Sequence, residues 1–254
     1  ANAVLFRQLN RLVHHFGAAA HYSLKASDEN LIGISASPAL LLVAPVGGTQ
    51  KLLGNSPNSI AFPAGHKTPC MMLDMASTMV AGGKIEMAIR KGQKMPLTWA
   101  LDAEGNPTED PLKVINANRE VVGSLQPMAG PKGYCLIVMF ELLSGILPGA
   151  ATGLKIVGSG GGLGYYMLAI DPAIIRDVGE LKTDLDEYFM TIKNSPKREG
   201  VEEIFLPGEI EHKFTAARKE AGYDLNPAVA QEALDLYKKY NGIAQDATVE
   251  DLFS

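Results

Sequence analysis

The chain has 254 residues and a formal net charge of −5; 46% of its residues are apolar and 20% charged. That balance excludes a disordered chain, collagen and coiled coil, and an acidic surface does not gather phosphate backbones, so nucleic acid is not an expected partner. The length suits one large domain or two small ones. Cys70 and Cys135, the two cysteines, lie in apolar surroundings. They point to a reducing, cytoplasmic setting and not to a disulfide framework. The opening residues, Ala-Asn-Ala-Val-Leu-Phe-Arg, lack a basic start followed by an apolar core, so no signal peptide is expected.

In chain order, Val4, Leu5, Leu9 and Leu12 recur at near-helical spacing and predict a helix over residues 2–13. Residues 17–28 are Ala-rich and predict a second. Residues 31–35 read as a short buried strand, and residues 60–62 as another, ending at Pro63. Val46-Gly47-Gly48 and Gly54-Asn55-Ser56-Pro57 are turns. Asp74 is placed to cap a helix through residues 75–90, closed by Gly92 and Pro96. Residues 99–111 form an acidic, turn-rich loop. Pro131 suits the first position of a helix, where its missing N–H costs nothing. The apolar run 134–147 that follows is too short for a bilayer and carries Glu141, so it reads as a buried core helix and no membrane is expected as a partner. Residues 154–157 read as a strand entering a glycine loop, and residues 165–170 as a strand ended by Asp171-Pro172. From Glu180 the charges become dense. Helices are predicted over 180–194, 208–221 and 227–241, around a short strand at 204–206. Strands alternating with helices indicate an α/β layer fold. Without a clear linker, residues 1–254 read as a single body, with a core over 1–179 and a mostly helical part over 180–254.

Several residues can carry chemistry. His15 precedes Phe16, Gly17 and a small-residue helix; an imidazole there has room for a ligand and can take and return a proton, although from spacing alone a lone histidine is more often structural. His14, His15 and His21 have no carboxylate or Cys at ligand spacing, so no metal is expected. Gly158, Gly160, Gly161, Gly162 and Gly164 make a loop through which backbone N–H groups can approach a phosphate. The G-x-G-x-x-G fingerprint is absent in every register, so a Rossmann site is not supported. Lys132 stands at a helix start, where the dipole favours an anion; a solvated surface lysine is the alternative. Pro207-Gly208-Glu209 reads as a helix start with an acidic first turn.

Taken together, His15-Phe16-Gly17-Ala18-Ala19, Leu31-Ile32-Gly33-Ile34, Ala44-Pro45-Val46-Gly47-Gly48 and Leu73-Asp74-Met75-Ala76-Ser77-Thr78 resemble one family. Trp99-Ala100-Leu101-Asp102, Pro107-Thr108-Glu109-Asp110-Pro111, Gly130-Pro131-Lys132-Gly133-Tyr134, Ala169-Ile170-Asp171-Pro172 and Leu206-Pro207-Gly208-Glu209 extend the resemblance, in the family's order. It is the malate/L-lactate dehydrogenase family unrelated to the Rossmann-type enzymes, which also contains ureidoglycolate and sulfolactate dehydrogenases and cyclic imine reductases. The resemblance implies an α/β fold with a mixed β-sheet, flanking helices and a non-Rossmann NAD(P)-binding site. It implies an oxidoreductase moving a hydride between NAD (or NADP) and a small 2-hydroxy or 2-oxo acid. His15 is then the acid/base. Asp74, Met75 and Ala76 line the cofactor, and Lys132 contacts cofactor or substrate. Pro207, Gly208 and Glu209 lie near the nucleotide, and the glycine loop, including Gly160 and Gly162, approaches it. A homodimer with the site near the subunit interface is also implied. The family's Ser-His-Gly segment precedes the part matched here. A hydroxyl residue of the family falls at Ala39, its Gly-Thr-Asn-Pro at Gly54-Asn55-Ser56-Pro57, and its cofactor-loop asparagine at Gly162. The other reading is a shortened, catalytically inactive homologue that serves as a binding or assembly protein.

Overall fold

The computed structural model describes residues 15–156, 162–222, 227–240 and 248. The helix expected over 2–13 and glycines 158, 160 and 161 lie outside them. The chain divides into two compact units, Ala1–Glu209 and Ile210–Ser254.

The first unit is built on a four-stranded sheet in the order β3-β2-β1-β6, formed by β1 (Ile32–Ala36), β2 (Asn58–Ala61), β3 (Met72–Met75) and β6 (Tyr166–Ile170). The strands β4 (Ala100–Leu101) and β5 (Ser124–Leu125) make a separate two-stranded ladder. The α/β class with helices flanking a sheet is as expected; in place of parallel pairs of a mixed sheet, every described ladder is antiparallel. In the central register Gly33 faces Ala61 and Ala169, Ser35 faces Ser59 and Met167, and Asp74 faces Ser59. Alternation puts Gly33, Ser35, Ser59, Ala61, Met72 and Asp74 on one face.

That face carries small side chains, and α1 (Ala20–Asp28) seats closely on it. A Cβ on Gly33 would stand 2.2 Å from the Ser23 carbonyl oxygen. The Ser23 and Ser59 hydroxyls share a hydrogen bond of 2.6 Å, and the Ser35 hydroxyl donates to Ala19 O at 2.7 Å. These polar groups are buried, so pairing them spares their desolvation cost. A second core gathers Val43, Val80, Ile85, Val114, Leu125 and Ile137, joining α2 (Gly82–Lys91) and α3 (Pro131–Glu141) to the loops between them. A third, Met71, Phe189 and Leu206, seats α4 (Val178–Lys193). The second unit holds α5 (Glu209–Ala221) beyond its first residue, followed by α6 (Pro227–Tyr240), which buries Ala230 and Leu234.

Several local expectations are corrected. Residues 72–75 do not start a helix; pairing with β2 draws them into the sheet edge, and α2 begins only at Gly82. Asp74 does cap a helix, but it is α1: its Oδ2 accepts from Ala20 N–H at 3.3 Å, across 54 residues of sequence. Residues 204–206 form no strand; Pro207 O instead accepts from Met72 N–H at 3.1 Å. Gly153–Lys155 is a 3-10 turn in place of a strand. The turn-rich loop 99–111 contributes β4. The apolar helix is not buried all round: α3 and the π-helical turn Leu142–Ile146 leave Leu136, Met139, Leu142 and Ile146 exposed along one stripe. Gly92 (φ +60°) ends α2 and Pro131 starts α3 as the sequence indicates.

Candidate active site

His15 leads into α1, and an aromatic stack fixes its neighbour. The Phe16 ring lies between Tyr22, at 5.2 Å between centroids, and Tyr165, at 5.1 Å. The Tyr22 hydroxyl donates to Phe16 O at 2.8 Å. Gly17 then turns the chain at φ +82°, a conformation that favours glycine. Its N–H donates to His15 Nδ1 at 3.0 Å. The neutral imidazole has one lone pair, so this contact puts the ring proton on Nε2.

His15 lines a cavity of about 550 Å³ together with Pro38, Ala39, Asn55, Gly83 and Leu163. That volume is in the range of small-molecule sites. The space in front of the glycines is open: a Cβ at Gly17 or Gly83 would meet nothing within 4 Å. The wall behind the lining residue Ala39 is tightly built. A Cβ at Gly54 would lie 2.7 Å from the backbone of Ala39, and Gly54 N–H donates to Glu141 Oε1 at 3.1 Å. Glu141 is 6% exposed, and burial pushes its carboxyl above the ordinary range against the opposing pull of the Gly54 N–H. Its part in shaping this wall was not read from the sequence, since only the fold brings the end of α3 to the Gly54 turn.

The end of the glycine run reaches the cavity. Gly162 (φ +86°) accepts from Ala151 N–H at 3.0 Å, and Leu163 follows on the cavity wall. Gly164 O accepts from the Ser37 hydroxyl at 3.2 Å. Gly160 lies outside the described residues.

Asp74, Met75 and Ala76 do not line the cavity; they connect to it at one remove, through Ser77, whose N–H donates at 2.8 Å to the carbonyl of the lining residue Asn55. Pro207, Gly208 and Glu209 meet the other end of β3. There Pro207 O accepts from Met72 N–H, and a Cβ on Gly208 (φ +85°) would come within 3.1 Å of Met72. The two stretches assigned to the cofactor by resemblance thus share one edge strand. Lys132 stands apart, exposed at the second position of α3 and not lining the His15 cavity. Its helix is tied to the same segment through Met128, whose N–H donates to Ser77 O at 3.0 Å and whose O accepts from Gly133 N–H at 3.0 Å. Ala81, Gly82 and Gly83 also line the cavity, because α2 starts at Gly82 and not at residue 75 as the sequence pattern predicts.

Small residues, open glycines and a histidine beside a cavity of this size fit a flat heteroaromatic group with a small polar substrate. Among the described residues, no three His, Cys, Asp or Glu side chains gather as a metal site, and no helix is long and apolar enough to cross a membrane.

Residues 9–233 match the model of the family described as malate/L-lactate dehydrogenase. The L-sulfolactate dehydrogenase of Methanocaldococcus jannaschii is 39% identical over 221 residues, which are 85% of this chain and 61% of that protein. A solved sulfolactate dehydrogenase structure from the same organism superposes with a TM-score of 0.81 at 36% identity, over 94% of this chain and 66% of the other. The (2R)-3-sulfolactate dehydrogenase (NADP(+)) of Chromohalobacter salexigens is 33% identical, over 86% of this chain and 63% of the relative. The ureidoglycolate dehydrogenase (NAD(+)) of Escherichia coli is 31% identical, over 77% and 55%. The chain therefore spans less than two thirds of the length of these relatives. A match over this extent, in sequence and in fold, places the chain in the malate/L-lactate dehydrogenase family.

Proposed function

We propose that the protein is an NAD(P)-dependent oxidoreductase that interconverts a small 2-hydroxy acid and its 2-oxo acid at the His15 cavity. The observation that carries this reading is His15 itself, lining the cavity next to Phe16, whose ring is held in the stack with Tyr22 and Tyr165. A nicotinamide bound there supplies the hydride chemistry. The protein supplies position and proton transfer. In oxidation the His15 imidazole would take the hydroxyl proton of the substrate, and in reduction the imidazolium would return it. The lone pair of the neutral ring is held by the Gly17 amide, so that contact opens when His15 takes up a proton. Lys132, at the positive end of α3, holds an anionic group of substrate or cofactor in this reading. The cofactor proposed is NAD, with NADP the alternative.

Titration with NADH and with NADPH, followed by nicotinamide fluorescence, tests the cofactor. Turnover assays on sulfolactate, malate, lactate and ureidoglycolate then test the substrate. Saturable NADH binding with turnover of one of these acids is the expected result; binding of neither nucleotide refutes the proposal. One observation favours the second reading, a non-catalytic binding or assembly protein: the cavity wall carries Ala39 where the family has a hydroxyl. In that case neither nucleotide binds. The partner we propose is a second copy of this chain. The stripe of Leu136, Met139, Leu142 and Ile146 supports it, because an apolar helix face of this kind gains from being covered. Sedimentation tests this, with a dimer expected and a monomer refuting it.

A further inference from the structure

We infer that Lys193 is a positioning residue for the turn at residues 206–209 and that the Glu209 carboxylate serves this turn, not a ligand. The inference rests on the reading of that turn as part of the cofactor site.

Both oxygens of Glu209 are used within the protein. Oε2 accepts from Leu206 N–H at 2.9 Å, and Oε1 meets the Lys193 ammonium. Glu209 N–H donates in turn to Leu206 O at 3.0 Å, so the turn is closed by backbone and side chain together. Lys193 ends α4 and also reaches Glu203 at 3.1 Å. The Lys193 and Glu209 side chains are 23% and 13% exposed, against 82% and 46% for the surface pair Lys94–Glu109. Water screens the inner pair far less, so its charges hold geometry as a surface pair does not. The turn they fix carries the Pro207 carbonyl bonded to Met72 and the Gly208 backbone pressed against the same residue. Met72 opens the strand that ends in Asp74 and Met75. Leu206 is anchored from below by Met71 and Phe189, so what the ion pair sets is the orientation of the turn above that anchor.

Removing the ammonium leaves the Glu209 and Glu203 carboxylates facing each other. Glu209 then turns to solvent and releases the Leu206 amide.

The test compares the wild-type chain with Lys193→Met and Lys193→Arg. Amide hydrogen exchange is read without cofactor, the NADH and NADPH dissociation constants by fluorescence, and kcat at saturating cofactor by turnover. Lys193→Met is expected to speed exchange at Leu206 about tenfold and to weaken cofactor binding about tenfold, a loss of about 1.4 kcal/mol. At saturating cofactor its kcat stays within about twofold of wild type, since the His15 cavity is untouched. Lys193→Arg recovers most of both losses, because a guanidinium keeps the charge and the donors. Unchanged Leu206 exchange or unchanged cofactor affinity in a folded Lys193→Met chain overturns the inference, as does a failure of Arg to rescue. If Lys193→Met does not fold, Glu209→Gln takes its place under the same two criteria. Wild-type protein that binds neither nucleotide overturns the site reading and the positioning role with it. Wild-type binding with an indifferent Lys193→Met overturns the positioning role alone.

Discussion

Gly33→Ala is a substitution this fold tolerates badly. The new methyl carbon would lie 2.2 Å from the Ser23 carbonyl oxygen, 2.7 Å from its Cα and 2.8 Å from its carbonyl carbon. All three are backbone atoms of α1, so no side-chain rotation relieves the overlap. An ordinary carbon–oxygen contact is about 3.3 Å, so α1 has to retreat by about 1 Å. That retreat stretches the bonds that seat the helix: Ser23 to Ser59 at 2.6 Å, Ser35 to Ala19 at 2.7 Å and Asp74 to Ala20 at 3.3 Å. With a net worth of about 1 kcal/mol each, and overpacking that costs about 1–3 kcal/mol by itself, the loss comes to about 3 kcal/mol or more. His15 and Phe16 lead directly into α1, so activity falls as well. Urea denaturation of the variant gives the stability, and turnover at saturating cofactor gives the functional effect. Gly83→Ala is the control for stability, since its methyl meets nothing within 4 Å and the change is expected to stay within about 0.5 kcal/mol. A Gly33→Ala protein that unfolds at the wild-type midpoint would refute the close seating of α1 on β1.

Three further outcomes follow from the same geometry. Burial holds the Glu141 carboxyl above its usual range, so the stability tied to its protonated form is complete below about pH 4.3 and is lost as pH rises through the folded value. Glu141→Gln keeps an acceptor for Gly54 N–H and does not titrate. Its advantage in denaturation midpoint therefore grows from pH 4 to pH 8, and a difference independent of pH contradicts the argument. Asp186 has the opposite sign: the Thr68 hydroxyl, and then the amides of Lys67, Thr68 and His66, hold its carboxyl below the usual range. Its contribution is present above about pH 3.9 and is lost as pH falls through the folded value, so the deficit of Asp186→Asn is largest near neutrality and closes in acid. Equal deficits at pH 7 and pH 3 count against this. Tyr22→Phe removes the bond to Phe16 O while keeping the ring stack; it is expected to cost about 1 kcal/mol and to lower kcat more than cofactor affinity. A selective loss of cofactor affinity speaks against a role in placing His15.

Features set by local pattern were legible in the sequence. The β-branched run at Ile32 and Ile34, the Ala-rich α1, Pro131 at the head of α3 and Gly92 at the end of α2 all follow from neighbours a few residues away. Residues whose role depends on distant pairing were not. Asp74 looked like the cap of the next helix, and the sheet turned it to α1 instead. The apolar face of α3 looked buried because periodicity does not tell a core face from an exposed one. The site shows the same division. His15 was visible as a histidine ahead of small residues, whereas Gly83 and Asn55 join it, and Glu141 braces the Gly54 turn, only once β2, α2 and α3 have packed.

The most direct test of the account is turnover of His15→Gln beside wild type, at saturating cofactor and with cofactor affinity measured on the same samples. The account predicts nucleotide binding within a few-fold of wild type and a kcat lower by about 10²–10⁴. Wild-type turnover in His15→Gln would contradict it, because the proton would then travel by another group.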